Sequence, residues 1–168
     1  GRKRVLLIDL NQKFGDAALY VSDQKPSMTL ADVCAASARL DINLLESGVL
    51  HISPNFSVLA ASDNPDPAED VRPEQFESVL QLARHHYDFA VIDMGRQVNA
   101  ISIRALDNSD LIYPVLQQSL PYLRNARRLL DIFSKESVPR TANVRGAVME
   151  SCAIGSLFQT EEPRSQNT

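Results

Sequence analysis

The chain has 168 residues, of which 17 are basic and 21 acidic, so its formal charge is −4 with three neutral histidines. Apolar residues make up 44% and charged residues 23%, the balance of a domain large enough to bury a core, which excludes a disordered, collagen-like or coiled-coil chain. The apolar run Val5-Leu6-Leu7-Ile8 closes at Asp9, far short of the ~20 residues that span a bilayer, so no membrane span or signal peptide is expected. The opening Gly1-Arg2-Lys3-Arg4 lacks an initiating Met and reads as that of a fragment or processed chain.

Val5-Leu6-Leu7-Ile8 has the continuous aliphatic character of a strand buried on both faces, and its exit over residues 9–16 is polar and contains Gly15. Residues 17–21 are expected to form a short helix, and Gln24-Lys25-Pro26-Ser27 a turn. Thr29-x-x-Asp32 is a capping box that opens a helix to about residue 38, and residues 42–50 form a second. A short strand is expected over 56–60, followed by Ser62-Asp63-Asn64-Pro65-Asp66-Pro67, whose prolines forbid a regular element. Pro73 suits a first helical turn, and Phe76, Val79, Leu80 and Ala83 then recur at i, i+3, i+4 and i+7.

Phe89-Ala90-Val91-Ile92 is a second wholly apolar strand that again ends in an acid, Asp93. A helix over 99–106, a strand over 111–116, an amphipathic helix over 121–136 with Leu123, Ala126, Leu130 and Phe133 inward, and a strand over 143–149 complete the pattern. Alternating helices and uniformly apolar strands imply an α/β fold, a mostly parallel sheet with helices on both faces. Residues 1–150 are expected to form this domain, and 151–168 a polar C-terminal tail, mobile over 161–168.

In such sheets ligands sit beyond the carboxyl ends of the strands, where Asp9 and Asp93 lie. Two carboxylates there suit a hydrated Mg²⁺ or a held water, though the same placement also arises in a plain capping acid. Neither Gly-x-x-x-x-Gly-Lys-Ser/Thr nor Gly-x-Gly-x-x-Gly occurs in the sequence. Cys34 and Cys152 are far apart and unpaired by any Cys-x-x-Cys, which makes neither a disulfide framework nor a zinc knuckle; Cys34 reads as a small buried hydrophobe. His85 and His86 are adjacent and diverge on a helix, and His51 follows a helix end, so no histidine pair chelates an ion.

Residues 63–77 hold six acids and one base, and 121–145 six bases and two acids. Arg127, Arg128 and Lys135 each lie three or four residues from Asp131, so the basic stripe is partly self-paired, and nucleic acid is not an expected partner.

Val5-Leu6-Leu7-Ile8-Asp9-Leu10-Asn11-Gln12-Lys13-Phe14-Gly15-Asp16-Ala17-Ala18-Leu19, Thr29-Leu30-Ala31-Asp32, residues 55–61, Tyr87-Asp88-Phe89-Ala90-Val91-Ile92-Asp93-Met94-Gly95-Arg96 and Leu123-Arg124-Asn125-Ala126-Arg127-Arg128-Leu129-Leu130 follow one another as in a known group. From about Arg4 to Ser137 the chain resembles the CpaE/TadZ proteins, MinD/ParA-like, deviant Walker-type P-loop ATPases of tight-adherence (Flp) pilus assembly. The resemblance implies that Asp93 is the Walker B acid reaching Mg²⁺ through water, that Asp9 is the first acid of the switch segment, and that the family's cofactors are ATP and Mg²⁺. It implies a cytoplasmic localisation factor, recruited to the cell pole or inner membrane face, whose partners are pilus and secretion proteins or a second copy.

Three departures accompany it. The family's opening strand, phosphate loop and first helix would precede Arg2; Asn11 replaces the second switch acid; and Glu150-Ser151-Cys152 replaces the Asn-Arg pair near the adenine. The expectation is therefore a catalytically silent chain without bound nucleotide. Two alternatives remain open: a piece of an active Mg²⁺-dependent ATPase whose phosphate loop lies upstream, and a receiver-like regulatory domain, against which Lys135 stands within a helix.

Overall fold

The aliphatic run forms β1 (Val5–Asp9), the strand around which the N-terminal part of the molecule is ordered. The computed structural model describes residues 2–11, 15–61, 71–95, 99–117, 119–135, 143–150 and 153–159. The expected acidic loop at 62–67 and the polar end at 161–168 lie outside these residues, as does Cys152. Contacts divide the chain into two units, Gly1–Ala105 and Leu106–Thr168.

In the first unit the strand order is β2-β3-β1-β4, with β2 (Leu50–Ser53), β3 (Phe56–Leu59) and β4 (Phe89–Asp93). β1 runs parallel to β3, Val5 to Ile8 facing Phe56 to Leu59, and parallel to β4, Val5 to Asp9 facing Phe89 to Asp93. β2 pairs antiparallel with β3. The helix expected over 42–50 is shorter: α2 (Ile42–Gly48) stops at Gly48, and Leu50 already belongs to β2. Asp41 caps α2 by accepting the Leu44 N–H at 2.8 Å.

Thr29 and Asp32 form the expected capping box at α1 (Leu30–Ala35): Thr29 N–H donates to Asp32 Oδ2 at 2.7 Å and Asp32 N–H to Thr29 Oγ1 at 3.3 Å. The helix is shorter than expected, giving way to a 3-10 turn at Ser37–Arg39. α3 (Pro73–His86) starts at its proline and buries Phe76, Val79, Leu80 and Ala83. α4 (Ala100–Asp107) is capped by Asn99, whose Oδ1 accepts the Ser102 N–H at 2.9 Å.

Side chains alternate across strands, so Leu6, Ile8, Leu59 and Ile92 share one sheet face. Against that face lies a single apolar cluster drawn from α1, α2, α3 and α4, including Leu30, Val33, Leu45, Phe76, Val79, Ile101 and Ala105. The other face carries Val5, Leu7, Asp9, Val91 and Asp93 in register.

In the second unit, β5 (Leu111–Ile112) and β6 (Val115–Gln117) pair parallel with β7 (Asn143–Glu150) in one unbroken register: Leu111 faces Asn143, Ile112 faces Val144 and Val115 faces Ala147. They are the expected single strand over 111–116, interrupted at Tyr113-Pro114, where proline has no N–H for the ladder. α5 (Leu120–Lys135) follows, with Leu123 exposed rather than inward; the side chains of Leu130 and Phe133, also expected inward, lie outside the described ones. β8 (Ala153–Gln159) pairs antiparallel with β7, so the segment expected as a polar tail contains a strand.

Candidate functional site

Parallel register sets Asp9 directly beside Asp93, at the carboxyl ends of neighbouring strands and on the same face. The backbone ladder continues one step further, Leu10 N–H donating to the Asp93 carbonyl at 2.9 Å. Asp9 is only 2% exposed and is held by two backbone donors: Oδ1 accepts the Asn11 N–H at 3.0 Å and Oδ2 the Ala17 N–H at 3.1 Å. Burial pushes its pKa up, the two N–H donors pull it back, and the negative charges of Asp93 and Asp16 raise it further. Asp93 is more open to water; partial loss of hydration, then the charge of Asp16, raises its pKa as well.

Three loops converge on this pair. A Cβ on Gly15 would collide with the Ala61 Cβ and lie 2.7 Å from Asp9 Oδ2 and 2.8 Å from the Asn11 carbonyl oxygen, so only glycine lets the chain after β1 pass this close to the carboxylate. A Cβ on Gly95 would lie 3.1 Å from Asn11 Oδ1, which places the Asn11 side chain against the loop that follows β4. Asn11, whose amide cannot ionise, therefore lies beside the acidic pair and adds no charge to it.

Among the described residues no three His, Cys, Asp or Glu side chains gather closely enough to hold a metal by themselves. Two strand-end carboxylates fit Mg²⁺ in donor type, because this ion takes one or two carboxylates and keeps its remaining waters. The strand ends bring Asp9 and Asp93 together as the sequence implies, and the structure adds Asn11 beside them; the roles of Gly15, Asp16 and Ala17 escaped the sequence. The one available signal was the glycine in the polar exit, and nothing in the spacing says that Ala17 N–H returns to Asp9.

Other chemistry-bearing residues serve the fold. Cys34 is buried and its thiol is pushed up to about 12 by burial, which keeps it protonated and unreactive. Near the opposite end of β1, Glu46 gathers Arg4 (Nη2 to Oε1, 2.6 Å), the Tyr87 hydroxyl (3.2 Å) and His51 (Nε2 to Oε2, 3.4 Å). His51 Nδ1 lies 3.0 Å from Ser57 Oγ, a serine–histidine–acid line in outline. Ser57 is buried in the middle of β3, closed to a substrate, so the line is a structural brace.

No protein-family model matches the chain, and no curated protein matches it. Solved structures do. A ParA family ATPase from Chlorobium tepidum TLS superposes with a TM-score of 0.81 at 28% identity, over 88% of this chain and 61% of that one. The septum site-determining protein MinD from Pyrococcus horikoshii OT3, complexed with Mg-ADP, gives 0.66 at 15% identity, over 87% and 56%. MinD in the MinC:MinD cell division complex of Aquifex aeolicus gives 0.64 at 17% identity, over 84% and 55%. The architecture is thus a mostly parallel open sheet with helices on both sides, and it is the MinD/ParA-like ATPase fold. The chain spans between half and two thirds of the length of these structures. No helix among the described residues is long and apolar enough to cross a membrane.

Proposed function

We propose that the chain is part of a CpaE/TadZ-like pilus-assembly and localisation factor, a MinD/ParA-like protein that works through protein contacts and performs no catalysis of its own. The observation that supports this reading best is the Asp9–Asp93 pair at the strand ends of a MinD/ParA-like fold, with Asn11 beside it. In this reading Asp93 and Asp9 stand at the positions of the Walker B and switch acids, with neither nucleotide nor Mg²⁺ bound, and Asn11, unable to ionise, leaves the site without a second acid to orient a water. Partners would be pilus and secretion proteins or a second copy, at the pole or inner membrane face of the cytoplasm; the MinC:MinD complex is a precedent for a partner on this fold.

The second reading is an active Mg²⁺-dependent ATPase whose phosphate-binding loop precedes residue 2. It is favoured by the Mg-ADP held by the Pyrococcus MinD and by β4, which ends its sheet among the described residues, where the resemblance puts an opening strand.

Melting the chain with and without millimolar ATP and Mg²⁺ separates the two, because a ligand bound only by the folded state raises Tm by mass action. A cooperative transition that does not move supports the silent, partner-binding protein. A Mg²⁺-dependent rise that Asp93→Asn abolishes overturns it in favour of the ATPase.

A further inference from the structure

At the amino ends of the strands, away from Asp9 and Asp93, four polar side chains from different elements close a ring. His51 on β2 stands directly across from Ser57 on β3, with Nδ1 3.0 Å from Ser57 Oγ. The Ser57 hydroxyl also hydrogen-bonds the phenol of Tyr87, which caps the end of α3. That phenol donates to Glu46 Oε1 at 3.2 Å, and Glu46, on α2, brings Oε2 to 3.4 Å from His51 Nε2. Ser57 is 4% and Tyr87 6% exposed, so half of the ring is closed to water.

A count of hydrogens sets the state of this ring. Its four contacts need one hydrogen each. The Ser57 and Tyr87 hydroxyls supply one apiece, an ionised Glu46 supplies none, and a neutral imidazole supplies one, because only one of its nitrogens then carries hydrogen. If that hydrogen is on Nε2 and points to Glu46, Ser57 must donate to Nδ1 and has nothing left for Tyr87. If it is on Nδ1 and points to Ser57, Nε2 turns a lone pair toward the Glu46 carboxylate. With both nitrogens protonated every contact is filled: Nδ1–H to Ser57, Ser57 to Tyr87, Tyr87 to Glu46, and Nε2–H to Glu46.

We propose that the Glu46–His51–Ser57–Tyr87 ring is a proton-sensitive tie for the outer strand β2, complete when His51 carries its second proton and one hydrogen bond short when it does not. The charged groups gathered around His51 are Glu46 from α2 and, on the same carboxylate, Arg4 from the entry to β1, whose Nη2 lies 2.6 Å from Oε1 and whose guanidinium stacks 4.6 Å over the Tyr87 ring. Arg4 occupies the other carboxylate oxygen, so its charge reduces the gain from a second cation and leaves the hydrogen count unchanged. The folded ring takes up the proton; its hold is therefore fully present at the acid end and is lost as pH rises through about 5 to 8, the span over which histidine deprotonates. The tie depends on neither reading of the Asp9–Asp93 pair.

Amide hydrogen exchange of the full chain at about pH 5.5 and 8, expressed as protection over the unfolded chain, tests the tie. The amides of β2 are expected to be roughly two- to tenfold better protected at the acid end, the worth of one added hydrogen bond, relative to the amides of Val79 and Leu80 in α3. Equal protection at both pH values overturns the proposal, as does a difference that survives undiminished in His51→Gln, which takes up no second proton. Ser57→Ala and Tyr87→Phe separate the ring from a plain ion pair. Each removes two contacts and one hydroxyl hydrogen, so the two contacts that remain are filled by a neutral His51, and the pH difference should vanish while His51 still faces Glu46. A difference that persists in either folded variant overturns the ring and assigns the effect to the His51–Glu46 pair alone.

Discussion

Asp9 and Asp88 carry the same side chain at opposite ends of adjacent strands, and their surroundings drive them in opposite directions. Asp9 is buried beside two other acids and its pKa is raised. Asp88, before β4, accepts Lys3 Nζ at 2.7 Å and the Arg4 N–H at 2.8 Å, and those two bonds, the lysine first, hold its pKa below the usual carboxylate value. A folded-state pKa below the unfolded value of about 3.9 means that the stabilisation is fully present above that pH and is lost as pH falls through the folded value. Asp88→Asn is therefore expected to lower Tm at neutral pH. The deficit should close as the parent's carboxylate is protonated, which thermal melts followed by circular dichroism between about pH 2 and 7 would reveal. A gap that stays constant across that range would assign the loss to something other than the carboxylate's charge.

At the level of elements, α3 shows what patterning achieves: a proline to start it, four apolar residues at helical spacing, and burial of each of those four in the structure. Phe76 is fully buried at the centre of the cluster. Truncating it leaves a cavity as well as lost transfer energy, so Phe76→Ala should cost about 3–5 kcal/mol. With a urea dependence of about 1–3 kcal/mol/M for a domain of this size, the midpoint of unfolding should fall by roughly 1 M or more; a shift of a few tenths would mean that the cluster closes over the gap.

β1 and β4 were legible for the same reason as α3, an unbroken apolar run ending in an acid, and with them the Asp9–Asp93 pair. β2 was not, because Leu50-His51-Ile52-Ser53 is four residues long, directly continues a helical pattern, and owes its strand geometry to pairing with β3. β8 escaped for a related reason: a strand containing Gly155 and following Glu150-Ser151-Cys152 is defined by its partner β7 rather than by its own composition. The parts of the site that were missed, the Gly15 approach to Ala61 and the Ala17 return to Asp9, depend on three loops meeting in space. The Glu46 cluster likewise unites residues as far apart in sequence as Arg4 and Tyr87.

Across the whole molecule, the feature most at odds with its sequence is β4. Phe89-Ala90-Val91-Ile92 reads as a strand buried on both faces, yet among the described residues it ends its sheet, with Phe89 56% and Val91 50% exposed. Phe89 and Val91 share the face that carries Val5 and Leu7, while Ile92 packs into the cluster on the other side. An apolar edge strand offers both a template of free backbone donors and acceptors and an adhesive surface. The chain is therefore expected to self-associate as its concentration rises into the tens of micromolar range, on the order of what such surfaces produce. Phe89→Lys with Val91→Lys should suppress that association, since charged side chains on an edge strand oppose pairing. Because both positions are solvent-exposed, the double variant should change folding stability by no more than about 0.5 kcal/mol per site. Light scattering coupled to size exclusion, run as a dilution series on both chains, decides the matter: a parent that remains monomeric at every concentration would mean that this edge is shielded in solution, and an equally associating double variant would move the adhesive surface elsewhere.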